Sequence, residues 1–384
     1  MNKDSFREDI EEIAEKNNRG FFGLEIIPTQ ACNMDCSYCF EHKKECGTIR
    51  NPDMIVKRVD ELLNDEWFNN TYKGLKIDYW GGEPTLKTDI IEMLLDRYVK
   101  NPRVSFHIYS NGYQVDTFYY VIERYIDDIL KQEKKFDIQF SYDGQPIHDI
   151  RRKDNFGNKT AEKILENTDR FYNLGLPVNF KSTVVPEDFK YIPEVWDDFR
   201  RLCDRYPKHQ VGYCPTIDYI NTTEVEYVED FEKSMVAIAK KEIGFHREMG
   251  RFLFTWFDGS RPACTAGKDL VIVDINGSVY FCHGVLYNGT KEELKITSIG
   301  SDNFVRDIER NREKMMSYEI VEPLECELCP ATKCMRCNAR KYELSEMEEL
   351  GDRWHDYTNQ SNLCTYFKIF GNIHRAVREI IIGE

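Results

Sequence analysis

The chain has 384 residues, room for two domains each with its own core. Apolar residues make up 41% and aromatics 13%, and the formal net charge is −15, which repels phosphate backbones and sets general nucleic-acid binding aside. No apolar run reaches the length of a membrane span, and Met1 is not followed by a basic and then an apolar stretch; neither a membrane protein nor a secreted one is expected, and the cytoplasm is the expected compartment. The 13 cysteines are clustered, three from Cys32 to Cys39 and seven from Cys264 to Cys364. In a reducing compartment such clusters point to metal ligands rather than disulfides.

Residues 1–19 read as an acidic helix closed by Asn17, Asn18 and Gly20, and residues 1–23 form a short helical extension. Leu24 to Pro28 is a strand, and the first cysteine group follows in the loop after it. Strands and helices then alternate. A helical pattern at 53–68 precedes the strand Leu75 to Trp80. Helices at about 87–99 and 116–131 flank the strand Val104 to Tyr109. The strand Phe136 to Phe140, a helix near 160–174, the strand Val178 to Val184 and a helix near 191–205 follow. Repeated strand–helix units predict a parallel sheet with crossover helices, hence the α/β class. Five strands are clear and a sixth is expected near Gln210 to Thr216, too few for a closed eight-stranded barrel. An open, partial β/α barrel over residues 24–223 is therefore expected. Residues 224–254 read as a charged linker helix. Residues 255–384 form a cysteine-rich domain of short strands and turns, in which Asn276-Gly277 between Val271–Ile275 and Ser278–Phe281 predicts a β-hairpin.

Cys32, Cys36 and Cys39 are spaced C-x3-C-x2-C. Three thiolates on one loop suit three irons of a cubic [4Fe–4S] cluster and leave the fourth iron open; a zinc knuckle is the alternative. Gly81-Gly82-Glu83-Pro84 follows the second strand, Ser110-Asn111-Gly112 the third, and Ser141-Tyr142-Asp143-Gly144 the fourth. Strand C-termini are where barrel active sites collect.

The cysteine spacing, followed by Phe40, resembles the signature of the radical S-adenosylmethionine (SAM) superfamily, and the later segments resemble that family's motifs in order. The resemblance covers most of residues 24–200. It implies that the open iron chelates SAM and that one electron cleaves its sulfonium bond to a 5′-deoxyadenosyl radical. It further implies that Gly81, Gly82, Glu83 and Pro84 hold the SAM ammonium, that Ser110 and Asn111 contact the ribose, and that Ser141 and Asp143 belong to the cofactor site with Phe40. Arg152 is the implied clamp on the SAM carboxylate, with Arg151 as its rival. An electron donor such as flavodoxin or ferredoxin is implied as partner.

Cys264, Cys282, Cys326, Cys329, Cys334, Cys337 and Cys364 resemble the seven-cysteine SPASM domain of radical SAM enzymes that modify peptides and proteins. That likeness implies two auxiliary [4Fe–4S] clusters besides the SAM-binding one. Cys326, Cys329, Cys334 and Cys364 would hold the distal cluster, and Cys264, Cys282 and Cys337 the nearer. The central spacing here, C-x2-C-x4-C-x2-C, is two residues shorter than the family's, which leaves the split of Cys334 and Cys337 open; a zinc ribbon is the alternative for the set. The nearer cluster has no evident fourth cysteine. Its iron is then open to a substrate thiolate, or bound by Cys214, Asp274 or His283. His283 stands where sulfatase-maturing relatives carry an acid. The expected activity is thioether or carbon–carbon crosslinking of a ribosomally made peptide. Cys or Ser dehydrogenation of the sulfatase-maturase type is the alternative, and a non-catalytic iron–sulfur protein a third reading.

Overall fold

The computed structural model describes residues 20–39, 41, 47–132, 136–206, 213–217, 225–257, 265–281, 283, 286, 295–316 and 361–382. The expected N-terminal helix, Phe40, Cys46, Cys264, Cys282 and the four cysteines from Cys326 to Cys337 lie outside these residues; Cys214 and Cys364 lie within elements whose backbone alone is described there.

The first strand, β1 (Phe21–Ile26), is followed by a three-residue strand, β2 (Met34–Cys36), that contains part of the cysteine group. Next come α1 (Asp53–Asn64), α2 (Glu66–Thr71), β3 (Gly74–Tyr79), α3 (Thr88–Tyr98), β4 (Val104–Ser110), α4 (Asp116–Leu130) and β5 (Phe136–Ser141). A single turn, α5 (His148–Arg151), leads into β6 (Arg152–Asp154), and then α6 (Ala161–Asn173), β7 (Val178–Val184), α7 (Ile192–Arg205) and β8 (Tyr213–Ile217) complete the alternating series. β1, β3, β4, β5, β7 and β8 are parallel neighbours in that order, so the sixth strand is present and the barrel is open. The helical pattern at 53–68 is two helices: Asp65 is extended and its Oδ1 accepts the Phe68 amide at 3.0 Å, which caps α2.

Alternation along the strands divides the sheet into two faces. Leu24 and Ile26, Ile77 and Tyr79, Phe106 and Ile108, Ile138 and Phe140, and Phe180 are buried in one continuous core with the helices. The other face is polar. His107 Nδ1 lies 3.2 Å from Asp78, His107 Nε2 lies 3.3 Å from Asp137, and the Asn179 amide donates to Asp137 at 2.6 Å. A parallel sheet sandwiched by helices would be apolar on both faces; a polar second face belongs to a sheet rolled around a hollow.

α8 (Val228–Met249) follows, and Gly250 ends it in the left-handed conformation, φ +68°. The helix expected to be a linker is packed instead. Phe231, Met235, Ile238 and Phe245 are buried, and Phe231 meets Tyr366 of the last helix, α10 (Ser361–Ile382), at 5.1 Å between ring centroids. The intervening hairpin is as expected, with β9 (Leu270–Val273) antiparallel to β10 (Ser278–Tyr280) around Gly277. β9 also pairs in parallel with β1, and β11 (Lys295–Ser298), followed by α9 (Phe304–Met316), adds to β10; one nine-stranded sheet therefore runs across the expected domain boundary. Among the described residues no helix is long and apolar enough to cross a membrane.

Candidate active site

The cysteine loop leaves β1 and is seated on the turn after β3. Gly82 N donates to Thr29 O at 3.2 Å and Glu83 N to Ala31 O at 2.8 Å. A Cβ on Gly82 would lie 2.4 Å from the carbonyl oxygens of both Gln30 and Ala31, and one on Gly81, at φ +125°, 2.5 Å from Thr29 O. The two glycines are therefore required by the close approach of the loop that carries Cys32. β2 then pairs with β6, which puts Cys36 opposite Arg152; Ser37 N bonds Arg151 O at 2.9 Å and Cys39 N bonds Cys36 O at 3.0 Å.

Glu83 was expected to face an ammonium. It is 1% exposed, and protein donors take its carboxylate: Oε1 accepts from Thr85 N, Thr85 Oγ1 and Ser110 Oγ at 3.0, 2.7 and 2.9 Å, and Oε2 from Asn111 N at 2.6 Å. Burial raises its pKa and these donors pull it back. Its role in the structure is to lock the turn after β3 to the turn after β4, with Pro84 opening a short 3₁₀ turn beside it. The Ser110 hydroxyl, engaged with Glu83, also accepts from Gly112 N at 3.0 Å. The Asn111 amide points at the cysteine loop instead, donating to Asn33 Oδ1 at 2.7 Å and lying 3.8 Å from Cys32 Sγ.

Asp143 is fully buried after β5 and joins three segments. Its Oδ2 accepts from Tyr38 OH at 2.6 Å and Arg152 Nε at 3.0 Å, and its Oδ1 from Thr183 N at 2.9 Å. Arg152 also lies over the Tyr38 ring, 5.1 Å from its centroid, and Nη1 lies 3.8 Å from Cys36 Sγ. Arg151 turns away and holds Asp188 through two bonds of 2.7 and 3.0 Å. Of the two arginines, Arg152 is the one in the cysteine site. His148 fixes its backbone. Burial, then Arg152, pushes the imidazole pKa well below its usual value, so the ring is neutral. Nδ1 accepts from Asp143 N at 3.1 Å, which leaves the proton on Nε2 for Thr160 Oγ1 at 3.1 Å, and Thr160 in turn donates to Arg152 O at 2.9 Å. Ser141 closes β5, level with Lys181 on β7.

These contacts bring Cys32, Cys36, Gly82, Glu83, Ser110, Asn111, Asp143 and Arg152 into one connected region. Tyr38, Asn33 and Thr160 belong to it and carried no motif of their own; so does His148, from the resembling segment 148–152. Beside it, His283 stacks on Trp80 at 4.3 Å and 13°, and its Nδ1 lies 3.2 Å from Glu25 Oε2. Lys181 reaches within 6.0 Å of the Trp80 ring from β7, across the hollow. Asp274, a possible cluster ligand by sequence, accepts from Asn276 N and Ser278 N at 2.9 and 2.7 Å and so belongs to the hairpin turn.

The donor set fits an iron–sulfur cube. Cys39 and Cys32 lie near enough to Cys36 for their charges to bear on its thiol. A cube spreads its thiolates over separate irons. Burial pushes the Cys36 thiol up to about 11, with Arg152 opposing, so a thiolate there needs positive charge beside it. The amide at Cys32 and the guanidinium at Cys36 are N–H donors of the kind that tune cluster sulfur ligands.

Comparison with known proteins agrees. Residues 26–199 match the Radical SAM superfamily, and the chain contains a radical SAM domain. It is 21% identical to a cysteine-type anaerobic sulfatase-maturating enzyme of Clostridium perfringens over 82% of this chain and 88% of that one. An uncharacterized protein of Methanocaldococcus jannaschii is 27% identical over 46% of this chain, and the match spans 57% of that relative's length. The fold is shared with native anSMEcpe bound to AdoMet and the Cp18Cys peptide (TM-score 0.64, 21% identity, 93% of this chain and 99% of that one). It is shared also with Streptococcus suis SuiB bound to its precursor peptide SuiA (TM-score 0.56, 13% identity, 84% and 74%).

Proposed function

We propose that this radical SAM enzyme modifies a peptide or protein, forming a thioether or carbon–carbon crosslink in a ribosomally made peptide. The observation that carries the radical chemistry is the seat of the cysteine loop. The three-cysteine segment rests on Gly81-Gly82, with Asn111 at Cys32 and Arg152 at Cys36. Cys32, Cys36 and Cys39 would hold the cluster; with SAM bound it supplies a 5′-deoxyadenosyl radical able to take hydrogen from an unactivated carbon. Arg152 would take the SAM carboxylate, Ser110 and Asn111 the ribose, and the Gly81-Gly82 backbone with Glu83 the ammonium, with Ser141 and Asp143 in the same site. Phe40 and Pro84 would border the same cofactor. The peptide reading is supported by two proteins of the same fold, one bound to the Cp18Cys peptide and the other to a precursor peptide. Cys264, Cys282, Cys326, Cys329, Cys334, Cys337 and Cys364 are proposed to hold two auxiliary clusters in the region 255–384, with a flavodoxin or ferredoxin supplying electrons.

The nearly full-length likeness to a sulfatase-maturating enzyme favours a second reading, dehydrogenation of a Ser to an aldehyde, or of a Cys to a thioaldehyde that water hydrolyses to the aldehyde with loss of sulfide. One experiment separates them. The reconstituted enzyme, SAM and dithionite are assayed for 5′-deoxyadenosine, and the treated peptide for lost hydrogens and hydrazide-reactive aldehyde. Crosslinking predicts lost hydrogens without aldehyde. Single Cys32→Ala, Cys36→Ala and Cys39→Ala variants should make no 5′-deoxyadenosine; cleavage retained in any of them defeats the cluster assignment. A wild type that makes none leaves only the non-catalytic iron–sulfur reading.

A further inference from the structure

The molecule presents an aromatic side chain to solvent beside the cysteine loop. Phe156 is 90% exposed, more than any other large apolar residue described. It is held there by a tightly bonded tip, residues 154–158. The Asp154 carboxylate accepts from Phe156 N at 2.9 Å, Asn158 N at 2.8 Å, Asn158 Nδ2 at 2.9 Å and Tyr113 OH at 3.2 Å. Asp154 N bonds Asn158 O at 3.1 Å, Gly157 N bonds Asp154 O at 3.0 Å, and Gly157 takes φ +82° to close the turn. A turn this fully bonded does not present its Phe through laxity. An exposed aromatic on a rigid support is a common anchor for a protein partner.

Its neighbours give the partner's charge. Lys153 and Lys159 are both exposed and face each other as an antiparallel bridge at the base of the tip. Asp35, exposed and level with Lys153 on β2, offsets one of the two like charges, so the row keeps one net positive charge for an anionic partner to pair, while Asp154 is buried under its donors. On a chain of net charge −15, such a spot is where an acidic protein can approach. The tip also touches the cysteine site, because the Asn155 amide donates to Cys32 O at 3.1 Å.

We propose that this tip docks an acidic one-electron carrier protein of the flavodoxin or ferredoxin type, placing the carrier's redox group at the Cys32 side of the cluster site. The proposal rests on the radical SAM reading, which requires one external electron per cleavage. The step is a single electron leaving the reduced carrier and entering the cysteine-held centre; no atom is transferred.

Two probes test it, an acidic bacterial flavodoxin and a ferredoxin. Their binding to the reconstituted enzyme is titrated directly at low and high salt, apart from any turnover. Wild type should bind at least one, more weakly at high salt. Phe156→Ser, and separately the double variant Lys153→Glu with Lys159→Glu, should weaken that binding by about tenfold or more. Carrier-driven 5′-deoxyadenosine formation should fall likewise, while dithionite-driven formation and the far-UV spectrum stay unchanged. Unaltered carrier affinity in both variants overturns the proposal, and so does a wild type that binds neither probe. It is equally overturned if the variants lose peptide substrate affinity in place of carrier affinity, which would assign the tip to the substrate. A wild type that makes no 5′-deoxyadenosine with dithionite defeats the functional reading instead, and the binding titration still decides the docking site by itself.

Discussion

Arg151 and Arg152 are adjacent in sequence and do different work. Arg152 is buried between Asp143, the Tyr38 ring and Cys36, whereas Arg151 forks onto Asp188 at the edge of the site. A lysine ammonium is a single point and cannot serve Asp143 and lie over the ring as the planar guanidinium does. Arg152→Lys should therefore weaken SAM binding to the reconstituted enzyme by about tenfold or more, a loss of roughly 1.4 kcal/mol per decade. Arg151→Lys should leave SAM affinity within about twofold and cost about 1–2 kcal/mol of stability through the lost bidentate pair. Calorimetric SAM titration alongside urea unfolding reads both. Equal loss of SAM affinity in the two variants would remove the distinction. The sequence offered both arginines as candidates. What separates them is the β2–β6 pairing, which sets Cys36 opposite Arg152 and depends on residues 116 positions apart. Glu83 shows the same limit. Its motif is local, but two of its donors come from Ser110 and Asn111, and no spacing rule reveals that tie between the two turns.

At the scale of elements, the strands were legible because each is a β-branched or aromatic run with turn residues after it, and the Asn-Gly hairpin because its turn chemistry is explicit. α8 was not. Its buried positions 231, 235, 238, 242 and 245 follow a helical stripe, but the stripe contains Glu242 and the flanks are heavily charged, so it read as a solvated linker. Glu242 closes the packing. Oε1 accepts from Trp196 Nε1 at 2.7 Å and Phe254 N at 2.8 Å, and Oε2 from Leu253 N at 2.9 Å, tying α8 to α7 and to the chain beyond it. Burial nevertheless pushes its carboxyl up to about 7. A carboxyl whose folded pKa exceeds its unfolded one binds its proton more tightly when folded. The stability this gives is present below the unfolded pKa of about 4.5 and is lost as pH rises through about 7, on the order of 3 kcal/mol across the window. Gln does not titrate, so the stability advantage of wild type over Glu242→Gln should shrink as pH rises from about 5 to about 7.5. Urea midpoints at several pH values check this. A gap that is constant or widens with pH would mean that the three donors outweigh burial and the carboxylate is ionised throughout.

At the scale of the molecule, the sequence suggested two domains joined by a helix, but the nine-stranded sheet and the main apolar cluster run across both regions, beside a smaller cluster of Ile27, Ile272, Ile275, Tyr280, Phe281 and Met315. β9 of the hairpin adds to β1 in register from Gly23 and Leu270 to Ile26 and Val273. Val271, Val273, Val279, Tyr366 and Phe370 pack in the same apolar cluster as the barrel strands and helices. This continuity was hidden because β1 and β9 are far apart in the chain, and hydrophobic pattern alone does not say which edges meet. It has a thermodynamic consequence: a shared sheet and core couple the two regions, so they should unfold together. Phe68 is fully buried in the barrel against Phe22, at 6.0 Å between ring centroids, and Tyr366 is fully buried under the last helix against Phe189, at 5.4 Å. Removing either ring to Ala should cost about 3–5 kcal/mol. Phe68→Ala and Tyr366→Ala should both lower the midpoint of the same urea transition in the cluster-free protein, with tryptophan fluorescence and far-UV dichroism coincident in each. Trp67 and Trp196 report on the barrel and Trp256 on the chain after α8, so a fluorescence change split from the dichroism would be visible. If Tyr366→Ala produces an early, separate transition while the barrel signal keeps its wild-type midpoint, the C-terminal region is an independent domain that merely rests on β1.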